Sequence, residues 1–325
     1  MVKHLNEEKM KKALIIAAAL LTFCACEHDI VRVTDFNVTL DKDNTYKAGE
    51  AVRFNFEGEV DNVIFYSGET GSQFKYKDRY TVPAEDVLAA NIDMDFQARY
   101  GVAGALEIWV SKTFEGLNGE DGAADRATIK AMVDGGMQGW TKLDYQEGAS
   151  TKWTEQMFDL SEYVENFCIA FHWCPPQTDQ TQRTYWINGK LALDLAGTDP
   201  TVMDISELGF TTVMMNEEIE DPYKKNSGNG SIILNNPSTG ALIFQGVDKN
   251  VLPYCLDGWA ISKPAPLNRV ANDKATVIKN MQNYMTSYEY TWNKPGTYNV
   301  TFIGSNSNYL QETQQQKDLT VIIVE

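Results

Sequence analysis

"SYEYTWNKPGTYNVTF", residues 287–302, alternates aromatic and polar side chains on both sides of a turn. Tyr288, Tyr290 and Trp292 share one face of the first half. Lys294-Pro295-Gly296 turns the chain, and Tyr298, Val300 and Phe302 share one face of the second half. A period of two with one apolar face marks a β-hairpin whose inner side is buried. A hairpin of this kind closes a sandwich of about 100 residues, yet the residues just before 287 do not open one.

The opening lies at the other end of the chain. In "VTDFNVTLDKDNTYKAGEAVRFNFEGEVDNVIFYSGETG" (33–71), Phe36, Val38 and Leu40 alternate, "YKAGE" turns, and Val52, Phe54 and Phe56 alternate again before a third strand, "DNVIFYSG". Three strands stand here without a closing hairpin. The C-terminal segment has the hairpin and a last strand, "DLTVIIVE" (318–325), without an opening. Residues 33–82 and 284–325 are therefore expected to form one split sandwich, with Tyr298, Val300 and Phe302 packed on Phe54, Phe56 and Ile64. Insertion of a domain at an exposed loop is tolerated when its termini lie close together. Two consecutive small sandwiches, one truncated, are the competing reading. The combined pattern, with "PGTYNVTF" and "VIIV", resembles the PKD branch of immunoglobulin-like domains.

Residues 83–283 carry a succession of strand-like runs, among them "IDMDFQARY" (92–100), "GALEIWVSKTF" (104–114), "TEQMFDLSEY" (154–163), "ENFCIAFHWC" (165–174) and "RTYWINGKLALDL" (183–195). Only "PAEDVLAA" (83–90) and "DRATIKAMV" (125–133) suggest short helices. The fold class expected is all-β: an Ig/PKD-like sandwich built from both chain ends, with an inserted galactose-binding-like jelly roll at 83–283. The motifs "LEIWVSKTFEG", "FDLSEY", "CIAFHW" and "YWING", with "FYSGETG" before and "DGWAISKP" after, resemble the Bacteroidetes lipoprotein family catalogued as domain of unknown function 5017. That resemblance covers about residues 33–325. It implies the fold and a cell-surface setting, and no characterised reaction.

The first residues read as an address. Lys11-Lys12 precede the apolar run "ALIIAAALLTF" (13–23), which has the length of a signal-peptide core and is too short to span a bilayer. Met10, directly before Lys11-Lys12, is a more usual start than Met1. Ala25-Cys26 fits the small-residue–Cys pattern of a lipoprotein signal better than Phe23-Cys24. Residues 1–25 are thus expected to be a signal peptide, Cys26 to carry the lipid, and 26–32 to be the tether. Glu27 and Asp29 resemble a surface-export signal, so the expected location is the outer membrane, lipid-anchored and facing the exterior. The formal charge of −17, more negative still without residues 1–25, argues against nucleic acid as a partner. Cys168, Cys174 and Cys255 are an odd number beyond Cys26, so the fold does not rest on disulfides.

Catalytic signatures are weak. The one interior histidine, His172, shares a strand face with Cys168 and Cys174. A Cys–His pair on one strand lacks an orienting group, and its spacing is not that of a chelating turn. "DKDNTYKAGE" (41–50) begins like a calcium loop but has Tyr46 where an EF-hand needs Gly. "SQFK" (72–75) has no helix to open. With 45 acidic residues, a glycosidase pair is possible in principle, but nothing singles one out. No organic cofactor is expected. A structural Ca²⁺ is conceivable in "NGEDGAAD" (118–125), with Asn118, Glu120, Asp121 and Asp125 as ligands. Trp140, Trp153 and Tyr223 lie in polar, Gly-rich surroundings and are candidates for stacking on sugar rings, whereas Trp109, Trp173, Trp186 and Trp259 lie in apolar strands. The expected function is non-catalytic binding of a polysaccharide or oligosaccharide for an uptake system, in company with transporter components. The alternatives are a protein-binding surface adhesin and a glycoside hydrolase or esterase.

Overall fold

The computed structural model describes residues 31–149, 152–175, 181–216, 230–236, 239–248 and 256–325. Cys26, Tyr223 and Cys255 lie outside these residues. The chain enters through β1 (Asp35–Leu40), β2 (Thr45–Lys47), β3 (Ala51–Glu59) and β4 (Asn62–Tyr66). It continues through β5 (Val87–Arg99), β6 (Leu106–Ser111), the helix α1 (Gly122–Asp134), β7 (Trp140–Leu143), β8 (Thr154–Asp159), β9 (Cys168–Trp173) and β10 (Thr184–Leu195). Then follow β11 (Thr201–Asp204), β12 (Thr211–Met214), β13 (Ser231–Ile233), β14 (Leu242–Gln245) and β15 (Gly258–Ile261). The last strands are β16 (Thr276–Lys279), β17 (Ser287–Thr291), β18 (Gly296–Ser307) and β19 (Glu312–Val324). The protein is all-β, with two compact units: residues up to Arg79 together with Ala271–Glu325, and Tyr80–Val270.

In the first unit, one sheet has the order β1-β3-β17 and the other β16-β4-β18-β19-β2. Residues far apart in sequence are direct partners: Tyr288 opposes Phe54 between β17 and β3, and Phe302 opposes Phe65 between β18 and β4. The core between the sheets contains Phe36, Val52, Phe54, Val63, Phe65, Trp292, Val300, Phe302, Val321 and Ile323. Phe302 packs edge-on against Phe54 at 4.9 Å between centroids, close to the preferred geometry of aromatic pairs. Gly304 in β18 has a steric reason: a Cβ there would come within 2.6 Å of the Phe36 ring.

Three readings of the sequence are corrected here. Ile64 faces away from the core while Val63 and Phe65 are buried. Four consecutive apolar residues, "VIFY", give no alternation from which to read the face, and a shift of one residue inverts it. "PAEDVLAA" is not helical beyond a single 3₁₀ turn at Ala84–Asp86; Val87 begins the long strand β5. The division at 283/284 also moves. Ala271–Asn283 belong with the first unit, because β16 pairs with β4 and Lys279 Nζ donates to the Val60 carbonyl at 2.5 Å. β16 is a short edge strand without a buried face, so its sequence pattern is nearly silent.

The second unit packs the sheet β13-β14-β10-β5-β8, with β11 added on β10, against the sheet β12-β15-β9-β6-β7. Alternate residues of β5 (Ile92, Met94, Phe96) and β9 (Ile169, Phe171, Trp173), with Phe167 just ahead of β9, meet between the sheets. The opposite face of β9 carries Cys168, Ala170 and His172. Part of that outer face is covered by α1, whose Ile129 is fully buried in a cluster with Cys168, Ala170, Val213, Trp259 and Ile261.

Candidate functional site

α1 exists because the loop before it prepares its start. Asp121 is the N-cap, its Oδ1 accepting from Ala123 N at 3.0 Å and Ala124 N at 3.1 Å. Asp125, 2% exposed, accepts from Asn118 N at 2.7 Å and Gly119 N at 3.0 Å. In the 118–125 loop, where a Ca²⁺ was conceivable beside a plain solvated loop, Asp121 and Asp125 accept from backbone N–H groups around a helix start, where negative charge is favourable. Glu120 is exposed. Asp125→Ala would leave two backbone donors unmatched and should destabilise this unit by about 1–3 kcal/mol in urea unfolding. Excess Ca²⁺ should leave the wild-type melting temperature unchanged; a rise would restore the cradle.

Of the predicted sugar platforms, Tyr223 lies outside the described residues, and Trp140 and Trp153 stand at β7 and just ahead of β8, strands of different sheets. Trp140 starts β7 and packs on Phe114 at 5.1 Å, part of the apolar cover beside α1. Trp153 is half-buried just before β8. The polar and aromatic groups that do converge lie further along the same outer face. The register sets Trp109 opposite Lys142 between β6 and β7, Glu107 opposite His172 between β6 and β9, and His172 opposite Trp259 between β9 and β15. One more step of that last register places Asp257 beside Cys174. The row runs across four strands.

Its bonds are specific. Lys142 Nζ donates to Glu107 Oε1 at 2.6 Å, and Trp109 Nε1 donates to Glu107 Oε2 at 3.2 Å. His172 Nε2 lies 2.9 Å from Asp257 Oδ1, and its Nδ1 lies 3.5 Å from Glu107 Oε2. The imidazole stacks on the indole of Trp259 at 4.1 Å and 10°. The row is accessible: the side chains of Glu107, Asp257 and Lys142 are 36%, 39% and 47% exposed. Partial burial pushes the Glu107 carboxyl up, but the Lys142 hydrogen bond and charge outweigh it and hold the group below its usual range. Burial likewise works against a charged His172. The hydrogen bonds to Asp257 and Cys174 prevail, and the imidazole is raised to about 9.

The raised value favours the charged form of His172, whose two nitrogens face the carboxylates of Asp257 and Glu107. Cys168, the other thiol on this strand, is 0% exposed, and burial pushes it up to about 12. A concavity of about 400 Å³ lies on the outer face of the other sheet, around Asp93, Asp95, Glu155, Asn188, Lys190 and Asp204. No aromatic ring lines it.

Sequence reasoning placed His172 and the thiols on one face but assigned Trp109 to the core and gave no role to Glu107, Lys142 or Asp257. The alternation of "LEIWVSK" puts Glu107 and Trp109 on the same side, which was the available signal. Asp257 had none, since its arrival depends on which strand neighbours β9.

Among the described residues no helix is long and apolar enough to cross a membrane. No curated protein and no solved structure matches the chain. A family model described as "Domain of unknown function (DUF5017)" matches residues 25–210, from ahead of β1 through β11 to the turn before β12. More than half of the sequence lies within that match, and the chain belongs to the DUF5017 family.

Proposed function

We propose that the protein is a non-catalytic glycan-binding protein, tethered through Cys26 to the outer membrane and facing the exterior, where it serves polysaccharide uptake. The observation that carries the reading is the half-buried indole of Trp109, which packs against the cluster beside α1 and has Glu107 and Lys142 at its rim. Lys142 Nζ stands 5.7 Å from the centre of that ring. Sugars present C–H faces that pack on aromatic rings and hydroxyls that need donors and acceptors at the rim. Here the acceptor is an ionised carboxylate and the donor an ammonium, both already oriented by each other.

The test is calorimetry or affinity electrophoresis against plant, host and microbial glycans. Trp109→Ala should weaken binding of the recognised glycan about tenfold, which corresponds to about 1.4 kcal/mol, near the top of the range of about 0.5–1.5 kcal/mol known for ring contacts. Circular dichroism should show an unchanged fold. Failure of the folded wild type to bind any glycan would leave the protein-binding adhesin as the better reading.

A further inference from the structure

The end of the row away from Trp109 has a different chemistry. His172 and Cys174 stand two residues apart at the end of β9 and project from the same face, and the β9–β15 register brings Asp257 up to them. One donor atom from each of the three lies within 4.8 Å of the others. Strand spacing within β9 alone offers two ligands; the neighbouring strand supplies the third. We propose that His172, Cys174 and Asp257 form a zinc-binding site, through the imidazole Nε2, the Cys174 thiolate and an Asp257 carboxylate oxygen.

The donor set selects the metal. Nitrogen, sulfur and oxygen together suit Zn²⁺, which takes all three, whereas Ca²⁺ and Mg²⁺ demand oxygen throughout. Three protein ligands leave a fourth position for water or for an added ligand. The surroundings hold the donors in place. The Cys174 N–H donates to the Ala105 carbonyl at 2.8 Å, fixing that backbone to the residue ahead of β6. Asp257 is held from the other side: its N–H donates to Asn216 Oδ1 at 2.7 Å, and its carbonyl accepts from Met215 N at 2.8 Å. Trp259 sets the plane of the imidazole from below. Glu107 stands behind the ring at Nδ1, where a carboxylate accepts the second N–H of a ligating histidine and thereby fixes its tautomer. Glu107 is itself pinned by Lys142 and Trp109. A zinc ion entering between the three donors replaces the protons of the imidazole Nε2 and of the thiol.

This site does not depend on the glycan reading, and its test uses no sugar. The purified protein is stripped with a chelator and titrated with Co²⁺, an optical stand-in for zinc. One equivalent should bind and produce a thiolate-to-cobalt charge-transfer band, which Zn²⁺ then bleaches. Cys174→Ser should remove that band while the circular dichroism spectrum stays the same. His172→Asn and Asp257→Asn should each weaken binding by at least tenfold, and Glu107→Gln by about 10–100-fold through the lost outer contact. A wild-type protein that binds no Co²⁺ overturns the proposal. So does a charge-transfer band that survives in Cys174→Ser, since the sulfur would then belong to another cysteine.

Discussion

Removing residues 284–325 is expected to unfold residues 31–79 as well, while Tyr80–Val270 stays folded. The deletion takes Trp292, Val300, Phe302, Val321 and Ile323 out of a core in which each is at most 3% exposed. Each large side chain contributes about 1.5–3 kcal/mol on burial, and the sum rivals the whole stability of a domain, about 5–15 kcal/mol. The backbone loses as much. β3 is left with β1 alone, β4 keeps only the short β16, and β2 loses the strand it adds to. Two-stranded remnants are marginal in water. The second unit has its own core, made of residues between Ala90 and Leu267. Limited proteolysis with mass mapping checks the outcome: fragments from 31–79 should be digested at once and a fragment near 80–270 should persist. Survival of 31–79 as a protected segment would show that the first sheet stands without its C-terminal partners.

What the sequence revealed depended on how one-sided each strand is. β18 has a clean inner face, Val300 and Phe302, and β3 another, Val52 and Phe54. Two half-sandwiches with unmatched apolar faces point at each other across the chain, whatever lies between. β4 is apolar on consecutive residues, so its presence was legible and its facing was not. β16 and β11 are edge strands with exposed side chains, and no pattern announces them. The candidate row was legible only in part. Alternation fixes which residues of one strand share a face, so His172 and Cys174 could be read together. Which strand comes alongside is a property of topology. Glu107 and Asp257 reach His172 through the order β15-β9-β6, in which β9 sits between strands about 60 and 90 residues away in sequence. Trp140 was open to two readings, sugar stacking and packing at the sandwich edge, because its neighbourhood in sequence is Gly-rich and polar; in three dimensions it contacts Phe114 and the residues under α1.

A buried ion pair at the end of the second sandwich should make Glu147 one of the least replaceable surface-loop residues. Glu147 lies between β7 and β8, yet its side chain is 14% exposed, and that of Arg183, which meets it at 2.7 Å, is 16%. Glu147 Oε1 also accepts from the Tyr185 hydroxyl at 2.6 Å and from Gly104 N at 2.6 Å. The Tyr185 hydroxyl accepts from Ala105 N, and Arg183 Nη1 donates to the Tyr100 carbonyl, so one carboxylate organises the connection from β5 to β6. Burial raises the Tyr185 phenol first, and its hydrogen bond to Glu147 adds to that, so the phenol stays a donor throughout the range in which the protein is studied. Glu147→Leu removes the acceptor of three donors and leaves the guanidinium buried without its counter-charge. Breaking such a pair from one side costs about 3–5 kcal/mol. Glu147→Gln, which keeps an acceptor but not the charge, should cost less. The decisive comparison is the double variant Glu147→Leu with Arg183→Met. If the penalty of the single change comes from a stranded charge, removing that charge should recover most of the loss, since an apolar pair of similar volume is often as stable as the ion pair it replaces. Urea unfolding of the wild type, Glu147→Leu, Arg183→Met alone and the double variant gives the coupling directly. Additive losses would place the cost in the Tyr185 and Gly104 hydrogen bonds instead of the ion pair.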